Sequence, residues 1–393
     1  MAKRTVVAMP GDGIGKVVLP EAIRVLDAVG FDAAYVHGDI GWDFWIHEGN
    51  ALPQRTVELI ERHKLALFGA ITSKPKDQAA AELCPDLRDN GCVYSSPIVG
   101  LRQHFDLDIC IRPCRSFPGN PLNFIRRRDG GFDEPRIDAV IFRQNTEGLY
   151  AGVEWTDPPD AVRTAMQTHP RMARFQDVPG ADLAVSTRIF TRGACRRIVR
   201  EAFAYADRFG YKSVTVCEKP NVIRETSGMM RAEAKVVAGA FDGIALWETN
   251  IDAQMMWLTK NPEDYGVLVS GNMFGDIVSD GFAGLVGGLG FACSANIGKD
   301  VAVFEPTHGS APKYADLDPS IVNPIAMILS ACMMLDHIGE RDRAGRIRHA
   351  IGSVIADGNV RTYDMMRLPG RQEVLADGAA TTSQMTDAII ARL

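Results

Sequence analysis

Short apolar runs alternate with amphipathic stretches in the first third of the chain, and this alternation limits the possible folds more than any other feature. The predicted strands and helices there cover, in order, 5–9, 16–29, 33–37, 56–63 and 65–68. A strand at 138–143, a helix at 194–209 and a strand at 213–217 repeat the order further on. Strands that alternate with helices are typical of α/β proteins built on a largely parallel sheet.

Length and composition narrow the class of protein. With 393 residues, of which 46% are apolar, the chain is long enough to form two domains. A net charge of −6 argues against a nucleic-acid-binding protein. Pro10 and Gly11 cut the apolar start too short for a secretory signal, and the run 325–335 is too short to span a membrane. We therefore expect a cytoplasmic protein.

The eight cysteines predict buried, reduced thiols, because none forms a CxxC pair and no Cys/His quartet lies nearby in the sequence. They are Cys84, Cys92, Cys110, Cys114, Cys195, Cys217, Cys293 and Cys332.

Two carboxylates, Asp276 and Asp280, are four residues apart in a segment with no other charge, 271–280. In a helix both project from one face, where their repulsion is relieved by a cation. Oxygen ligands favour a hard divalent ion such as Mg²⁺ or Mn²⁺, and a third acid, Asp252, follows the strand-like run 244–247. On spacing alone, a solvated surface pair remains the alternative.

The glycine-rich segment Gly11-Asp12-Gly13-Ile14-Gly15 follows a predicted strand and opens a helix. This segment does not predict a Rossmann domain, because its third glycine comes too early for the GxGxxG motif. In addition, no acidic residue ends a second strand at the distance expected for ribose binding. Two hypotheses remain, a purely structural turn or a turn at the edge of a cofactor site.

A wider set of motifs resembles the β-decarboxylating dehydrogenases, the family of isocitrate, isopropylmalate, homoisocitrate and tartrate/malate dehydrogenases. The matching segments are 10–15, 272–280, 284–290, 294–296, 305–312, 323–324 and 363–364, together with Asp252. The resemblance covers nearly the whole chain. It implies an α/β fold of two domains with a mixed central sheet, and a homodimer joined by a clasp.

By this resemblance, the large, cofactor-binding domain is discontinuous and comprises 1–108 and 288–393. The small domain, with the substrate and metal site, comprises 109–152 and 185–287, and the clasp is 153–184. On their own, the irregular stretches 117–135 and 155–183 read as linkers or disordered segments, being rich in Pro, Gly, Asp and Arg.

The resemblance also assigns the proton-transfer and metal residues. It implies that Tyr150 is the general acid, that Lys219 is its partner, and that Asp276 takes part in catalysis. Asp252, Asp276 and Asp280 are implied ligands of Mg²⁺ or Mn²⁺. Lys219 and Asp252 are expected to reach the neighbouring subunit's site, so that the active sites of a homodimer are shared.

The substrate-binding positions implied by the resemblance are Thr72, Ser96, Ile98, Arg102, Arg112 and Arg143. The arginines align with those that hold the malate carboxylates. Isocitrate enzymes carry a Ser and, two residues later, an Asn to bind the γ-carboxylate; this chain keeps Ser96 but has Ile98 in place of the Asn. Lys74 is either an alternative cation for that carboxylate or a solvated loop residue.

The cofactor positions implied by the resemblance are His308, Gly309, Ser310, Ala311, Lys313, Tyr314, Asn323, Tyr363 and Arg367. NAD-using relatives usually have an acid where Lys313 stands, and an acid repels a 2′-phosphate whereas a lysine attracts it. Lys313, Tyr314, Tyr363 and Arg367 match the 2′-phosphate site of bacterial NADP-isocitrate dehydrogenases, so NADP is the expected cofactor.

The expected activity is NADP-dependent oxidative decarboxylation of a 3-substituted malate. Isocitrate is the first candidate; homoisocitrate, 3-isopropylmalate or another 3-substituted malate is the alternative. A non-catalytic regulatory subunit is a remote alternative, because such subunits usually lose the catalytic Tyr, Lys or Asp residues that this chain keeps.

Overall fold

A computed structural model describes residues 3–393. The strands in this range are β1 (Arg4–Gly11), β2 (Ala33–His37), β3 (Leu65–Ala70), β4 (Ile109–Arg115), β5 (Arg126–Arg128), β6 (Gly131–Asp133), β7 (Asp138–Gln144), β8 (Glu154–Thr156), β9 (Ala184–Ser186), β10 (Ser213–Glu218), β11 (Ala245–Asn250), β12 (Val267–Ser270), β13 (Cys293–Ile297) and β14 (Ala302–Pro306).

The α-helices of the same range are α1 (Gly15–Ala28), α2 (Trp42–Glu48), α3 (Gln54–His63), α4 (Lys76–Ala81), α5 (Pro97–His104), α6 (Asp160–Gln167), α7 (Arg192–Phe209), α8 (Arg224–Ala238), α9 (Ile251–Lys260), α10 (Asn272–Leu285), α11 (Ile325–His337), α12 (Arg341–Asp357) and α13 (Thr382–Ile390). None of the described helices is both long enough and apolar enough to cross a membrane.

Ten strands form one mixed sheet in the order β11-β10-β12-β7-β4-β13-β14-β3-β1-β2. The three central contacts, β7 with β4, β4 with β13 and β13 with β14, are antiparallel, and the others are parallel. This confirms the predicted α/β fold with a mixed central sheet. The predicted boundary between the two domains falls at the contact of β4 with β13, inside the continuous sheet, and the division itself stays a prediction.

Both faces of the sheet are covered over its inner strands, which explains why β3, β7 and β12 are buried at nearly every position. Along β7, Val140 and Phe142 pack under α7 and α8, while Ala139 and Ile141 pack under α9 and α10. Successive side chains of a strand point to opposite faces, so each strand contributes to two cores. In the other half of the sheet, β1 and β3 contribute in the same way to a core with α1, α11 and α12 and to a second core that includes Leu101 of α5.

The two irregular stretches contain regular structure, so their interpretation as linkers or disorder was wrong. Residues 126–133 form the β5–β6 hairpin, which turns through Asp129 and Gly130 at positive φ. In the second stretch, β8 pairs with β9 and α6 lies between them in sequence. The role of this segment as a clasp stays a prediction.

All eight cysteines are free thiols, as predicted. Six are buried, but Cys84 and Cys92 are only partly buried, so their predicted burial was wrong. Both lie between α4 and α5, where the packing is formed by a small satellite core rather than by the main sheet.

Hydrogen bonds to one buried carboxylate, that of Asp12, hold the glycine-rich turn after β1 in place. Asp12, 5% exposed, accepts hydrogen bonds from the backbone N–H of Trp42 at 2.7 Å and of Thr72 at 2.8 Å. Gly13 has a φ of 51°, and a Cβ there would lie 2.1 Å from the carbonyl oxygen of Ser310. The turn therefore needs glycine for a close approach, and Asp12 ties three loops together.

We expect Asp12→Ala to destabilise the protein, because it leaves two buried N–H groups without acceptors at about 1–3 kcal/mol each. Chemical unfolding followed by circular dichroism should show a loss of roughly 2–5 kcal/mol. Asp43→Ala is the control: Asp43 forms an exposed ion pair with Lys16, which contributes about 1 kcal/mol or less. Equal unfolding curves for the two variants would contradict the anchoring role of Asp12.

Candidate active site

A cluster of opposite charges lies where α10 faces β4 and β7. Arg112 Nη1 is 3.1 Å from Asp276 Oδ1 and 3.1 Å from Asp280 Oδ1. The same nitrogen donates to Ser279 Oγ at 2.8 Å. Arg143 Nη1 also donates to Asp276 Oδ1. Two of the three predicted metal-binding acids and two predicted substrate arginines thus form one contiguous ion-pair cluster, in which Asp276 is partly buried and Asp280 is exposed.

The sheet register positions both arginines. Cys110 pairs with Arg143 and Arg112 with Ile141, so the two arginines are diagonal neighbours on one face. Arg112 is 8% and Arg143 3% exposed. Burial, with the charges of Arg112 and Arg102, lowers the pKa of Arg143 to about 10, so it remains a cation at pH 7. Arg112 Nε is buried and has no hydrogen-bond partner among residues 3–393.

Two buried amides and a buried carboxylate, none of them a predicted site residue, support these arginines. Asn272 Oδ1 accepts from Arg143 Nε at 2.9 Å. Arg102 donates to Asn296 Oδ1 and to Glu305 Oε1, both at 3.2 Å. The signal was present in the sequence, because Asn296 is a polar residue at a strand position between apolar neighbours. Such positions require a hydrogen-bond partner.

Tyr150 lies at the rim of the charge cluster. Its ring is 47% exposed, its hydroxyl is 3.4 Å from Asp276 Oδ2, and the Arg143 guanidinium is 5.5 Å from the ring centroid. Burial raises the pKa of the Tyr150 hydroxyl, and the Asp276 carboxylate adds to the shift while Arg143 opposes it. The phenol is therefore protonated at pH 7 and has a proton to donate.

The third predicted metal ligand is not next to the other two. Asp252 Oδ1 accepts from Lys219 Nζ at 2.6 Å, and this hydrogen bond lowers the pKa of Asp252. In the described part of one chain, no three His, Cys, Asp or Glu residues converge as a metal-binding group. Asp276 and Asp280 alone offer oxygen ligands on one helix face, and burial raises the pKa of Asp280. These oxygens fit a hard cation, but the chain by itself supplies an incomplete set of ligands.

The predicted substituent pocket is more apolar than charged. Ser96 caps α5 without using its hydroxyl, and Ile98 packs against the core that includes Leu101. Lys74 Nζ is held by Glu82, at 2.7 and 2.8 Å from its two carboxylate oxygens. Lys74 is a loop residue whose side chain is 34% exposed and is paired with a partly exposed acid, so its role towards a substrate carboxylate stays a prediction.

The predicted cofactor loop packs on the glycine-rich turn. The carbonyl oxygen of Ser310 accepts from Ile14 N at 2.9 Å, and Ser310 Oγ is 2.7 Å from Thr72 Oγ1. His308 Nε2 is buried without a partner in the described range, and burial lowers the pKa of His308. The neutral ring thus leaves one nitrogen without a partner, as a ligand-binding residue would. This contact fits both hypotheses for the turn, so its place at the edge of a cofactor site stays a prediction.

Three of the four predicted 2′-phosphate residues are neighbours. Lys313 Nζ lies 4.7 Å from the ring centroid of Tyr314, whose ring is 5.6 Å from that of Tyr363. Arg367 is at the end of the same turn as Tyr363, but its guanidinium donates to the carbonyl of Pro121 at 2.9 Å. It is exposed, so a ligand can compete for it.

Asn323 is held in place by a neighbour in the same region. Its amide nitrogen donates to Asp364 Oδ2 at 3.0 Å, and its side-chain oxygen accepts from Ile325 N at 3.0 Å, at the start of α11. The structure therefore shows a residue fixed by its own chain, while its contact with a cofactor stays a prediction.

The chain is similar in sequence and in fold to known proteins. Residues 5–389 match the sequence model of the family described as isocitrate/isopropylmalate dehydrogenase. Protein DlpA of Legionella pneumophila is 37% identical over 98% of this chain, which spans only 58% of the length of DlpA. The 3-isopropylmalate dehydrogenase of Methanothermobacter thermautotrophicus is 36% identical over 96% of this chain and 98% of its own.

Among solved structures, the isocitrate dehydrogenase from Methylococcus capsulatus superposes with a TM-score of 0.80, at 34% identity, over 99% of each chain. These matches confirm the family resemblance. The chain therefore belongs to the isocitrate/isopropylmalate dehydrogenase family, whose members are decarboxylating dehydrogenases that use NAD or NADP.

Proposed function

We propose that this chain catalyses the NADP-dependent oxidative decarboxylation of a 3-substituted malate, with isocitrate as the first candidate. The observation that carries the proposal is the cluster of Arg112, Arg143 and Asp276, completed by Asp280. Guanidinium groups bind carboxylates, and paired aspartates bind a hard divalent cation. A substrate that is both an anion and a metal ligand fits such a cluster.

The residues divide the chemistry between them. Arg102, Arg112 and Arg143 hold and orient the carboxylates, and Asp276 with Asp280 would hold Mg²⁺ or Mn²⁺. When bound, the cation supplies polarisation of the substrate's oxygen, and NADP supplies the acceptor for hydride. Tyr150, kept protonated by its raised pKa, donates the proton after decarboxylation.

The active unit in this proposal is a homodimer whose sites are shared. Lys219 and Asp252 are paired with each other, apart from Asp276, so one chain has an incomplete site. An interface that brings this pair to the Asp276 of a second copy completes the site. The predicted clasp, residues 153–184, is exposed along most of its length, which suits a contact between copies.

Mixing of inactive variants tests the shared site. Tyr150→Phe and Lys219→Met chains, each nearly inactive, should recover about a quarter of the unmodified activity after subunit exchange, because hybrid dimers contain one intact site. Tyr150→Phe mixed with Asp276→Asn is the matched control, since both residues belong to the same chain's part of the site. Recovery in the control, or none in the first mixture after verified exchange, contradicts the shared site.

The choice of NADP rests on charge. Lys313 and Arg367 are cations, and Tyr314 and Tyr363 add hydroxyl groups, while Asp364, the acid next to Tyr363, accepts hydrogen bonds from Asn323 and Thr362. NAD presents only a ribose hydroxyl there and leaves both cations without an anionic partner.

Charge reversal tests this cofactor site. Lys313→Asp combined with Arg367→Ala should lower kcat/KM for NADP by roughly 100-fold or more, because two charge-assisted hydrogen bonds are lost and a repulsion is added. It should leave kcat/KM for NAD unchanged or improved. Lys299→Asp, an exposed position at the other end of β14, is the control and should change neither. An unmodified enzyme that prefers NAD refutes the assignment.

One observation favours a second candidate substrate. Ile98 cannot donate a hydrogen bond and Lys74 is occupied by Glu82, so Ser96 is left to bind a γ-carboxylate. An apolar substituent, as in 3-isopropylmalate, needs no such donor. The longer acid of homoisocitrate places its carboxylate further from Ile98. These remain alternatives to isocitrate.

A spectrophotometric screen of NADPH formation with isocitrate, homoisocitrate and 3-isopropylmalate, each in the presence of Mn²⁺, decides among these substrates. A control with a chelator should show no turnover. We expect Ile98→Asn to raise kcat/KM for isocitrate by about 10- to 100-fold. This factor corresponds to the free energy contributed by one hydrogen bond to a charged group. Val99→Asn, at an exposed neighbour, should have no such effect. A preference of the unmodified enzyme for 3-isopropylmalate would overturn isocitrate as the first candidate.

A further inference from the structure

A cavity of about 130 Å³ lies on the face of the sheet opposite the charge cluster, between α7 and α11. Its apolar walls include Ile111 of β4, Ala295 of β13, Phe304 of β14, and Leu329 and Met333 of α11. Protein interiors rarely contain voids larger than a water molecule, and a 150 Å³ apolar cavity holds one benzene ring. The space is therefore the size of a small ring or a branched aliphatic group.

Strand alternation places the cavity directly behind the proposed substrate arginines. Along β4, Ile111, Pro113 and Arg115 line the cavity, while Arg112 points to Asp276 on the other face. Along β13, Ala295 lines the cavity, whereas its neighbour Asn296 accepts from Arg102. The cavity is thus separate from the proposed active site by one thickness of sheet.

Positive charge predominates at the polar end of the cavity. Arg115, Arg208 and Arg348 line it, against one acid, Asp336, which pairs with Arg348. Arg115 pairs with an acid outside the lining, Asp138, at 2.7 Å. Arg208, exposed on α7, has no ion pair or side-chain hydrogen bond within residues 3–393.

The histidine at the mouth adds no charge. Burial and the nearby cations Arg208 and Arg4 lower the pKa of His337, so its ring is neutral at pH 7. The excess charge of the lining is therefore carried by arginines, with Arg208 free to bind an anion at the exposed end.

We propose that this cavity binds a small amphipathic monocarboxylate, with an aromatic ring or a branched aliphatic group among the apolar walls and the carboxylate at Arg208. The apolar part matches the volume of the void, and the single negative charge matches the one unpaired arginine. This site is independent of the proposed reaction, since it shares no residue with the charge cluster around Asp276.

Benzoate is the probe, and benzyl alcohol is its uncharged counterpart. We expect benzoate to bind the full-length protein with a dissociation constant on the order of 1 mM or lower, the range for a ligand of its size. Calorimetric titration is done with saturating Mg²⁺ and malate, because benzoate otherwise has access to the substrate arginines. Displacement of benzoate by malate, equal affinity for benzyl alcohol, or no binding overturns the proposal.

Two variants locate the site. Ala295→Leu fills the cavity and should weaken benzoate at least roughly tenfold. Arg208→Gln should weaken it about five- to tenfold by removing one charge-assisted hydrogen bond at an exposed position. Arg200→Gln, an exposed arginine on the same helix that does not line the cavity, is the matched control and should bind as the unmodified protein does.

The surface variants keep the test valid if Ala295→Leu does not fold, since Arg208 and Arg200 are both exposed. Circular dichroism and thermal unfolding establish which variants are folded. Unchanged benzoate affinity in Arg208→Gln, or an equal loss in Arg200→Gln, places the anion elsewhere and refutes the site.

Discussion

The site depends on the balance between two buried arginines and two aspartates. Arg112 and Arg143 are positive, Asp276 and Asp280 are negative, and the four compensate one another within hydrogen-bonding distance. Because both arginines are buried, removing an aspartate partner leaves a buried positive charge without full compensation. A dianion on the arginines without a cation on the aspartates, or the reverse, unbalances the cluster in the same way. For the proposed activity, this balance favours joint binding of the metal ion and the anionic substrate, because the cation compensates the aspartates and the substrate carboxylates compensate the arginines.

The position of this cluster follows from the central antiparallel strands. β4 and β13 contribute side chains alternately to two faces, so Arg112 and Asn296 point towards α10 and α5, while Ile111 and Ala295 point towards α7 and α11. The predicted domain boundary lies along the same pair of strands. The charge cluster with its supporting residues and the apolar cavity thus both include residues of β4 and β13. A shift of β4 relative to β13 would therefore change the positions of side chains on both faces of the sheet.

Local patterns carried most of what could be predicted from the sequence. The strand at 65–68 and the helix at 56–63 were identified because their apolar periods are regular, and the structure extends them by only two residues each. Sequence spacing could not predict the pairing of Arg112 with Asp276, because 164 residues separate them in the chain. The sequence also gave no sign that Glu82 occupies Lys74, because an ion pair formed by a loop and a short helix depends on backbone geometry. Long-range contacts of this kind are set by the tertiary fold.

The pairing of Lys219 with Asp252 shows what the proposed sharing of sites between chains would mean for each chain. These charges have no role beside Asp276 within one chain, yet each has a partner, so neither is left uncompensated before assembly. Asp252 is 67% exposed in its side chain, and an exposed pair contributes about 1 kcal/mol or less. Such a weak pair opens at little cost when a metal ion or substrate offers Asp252 and Lys219 a better partner. In the proposed homodimer, Lys219 and Asp252 are therefore compensated in the separate chain and remain available to a second copy.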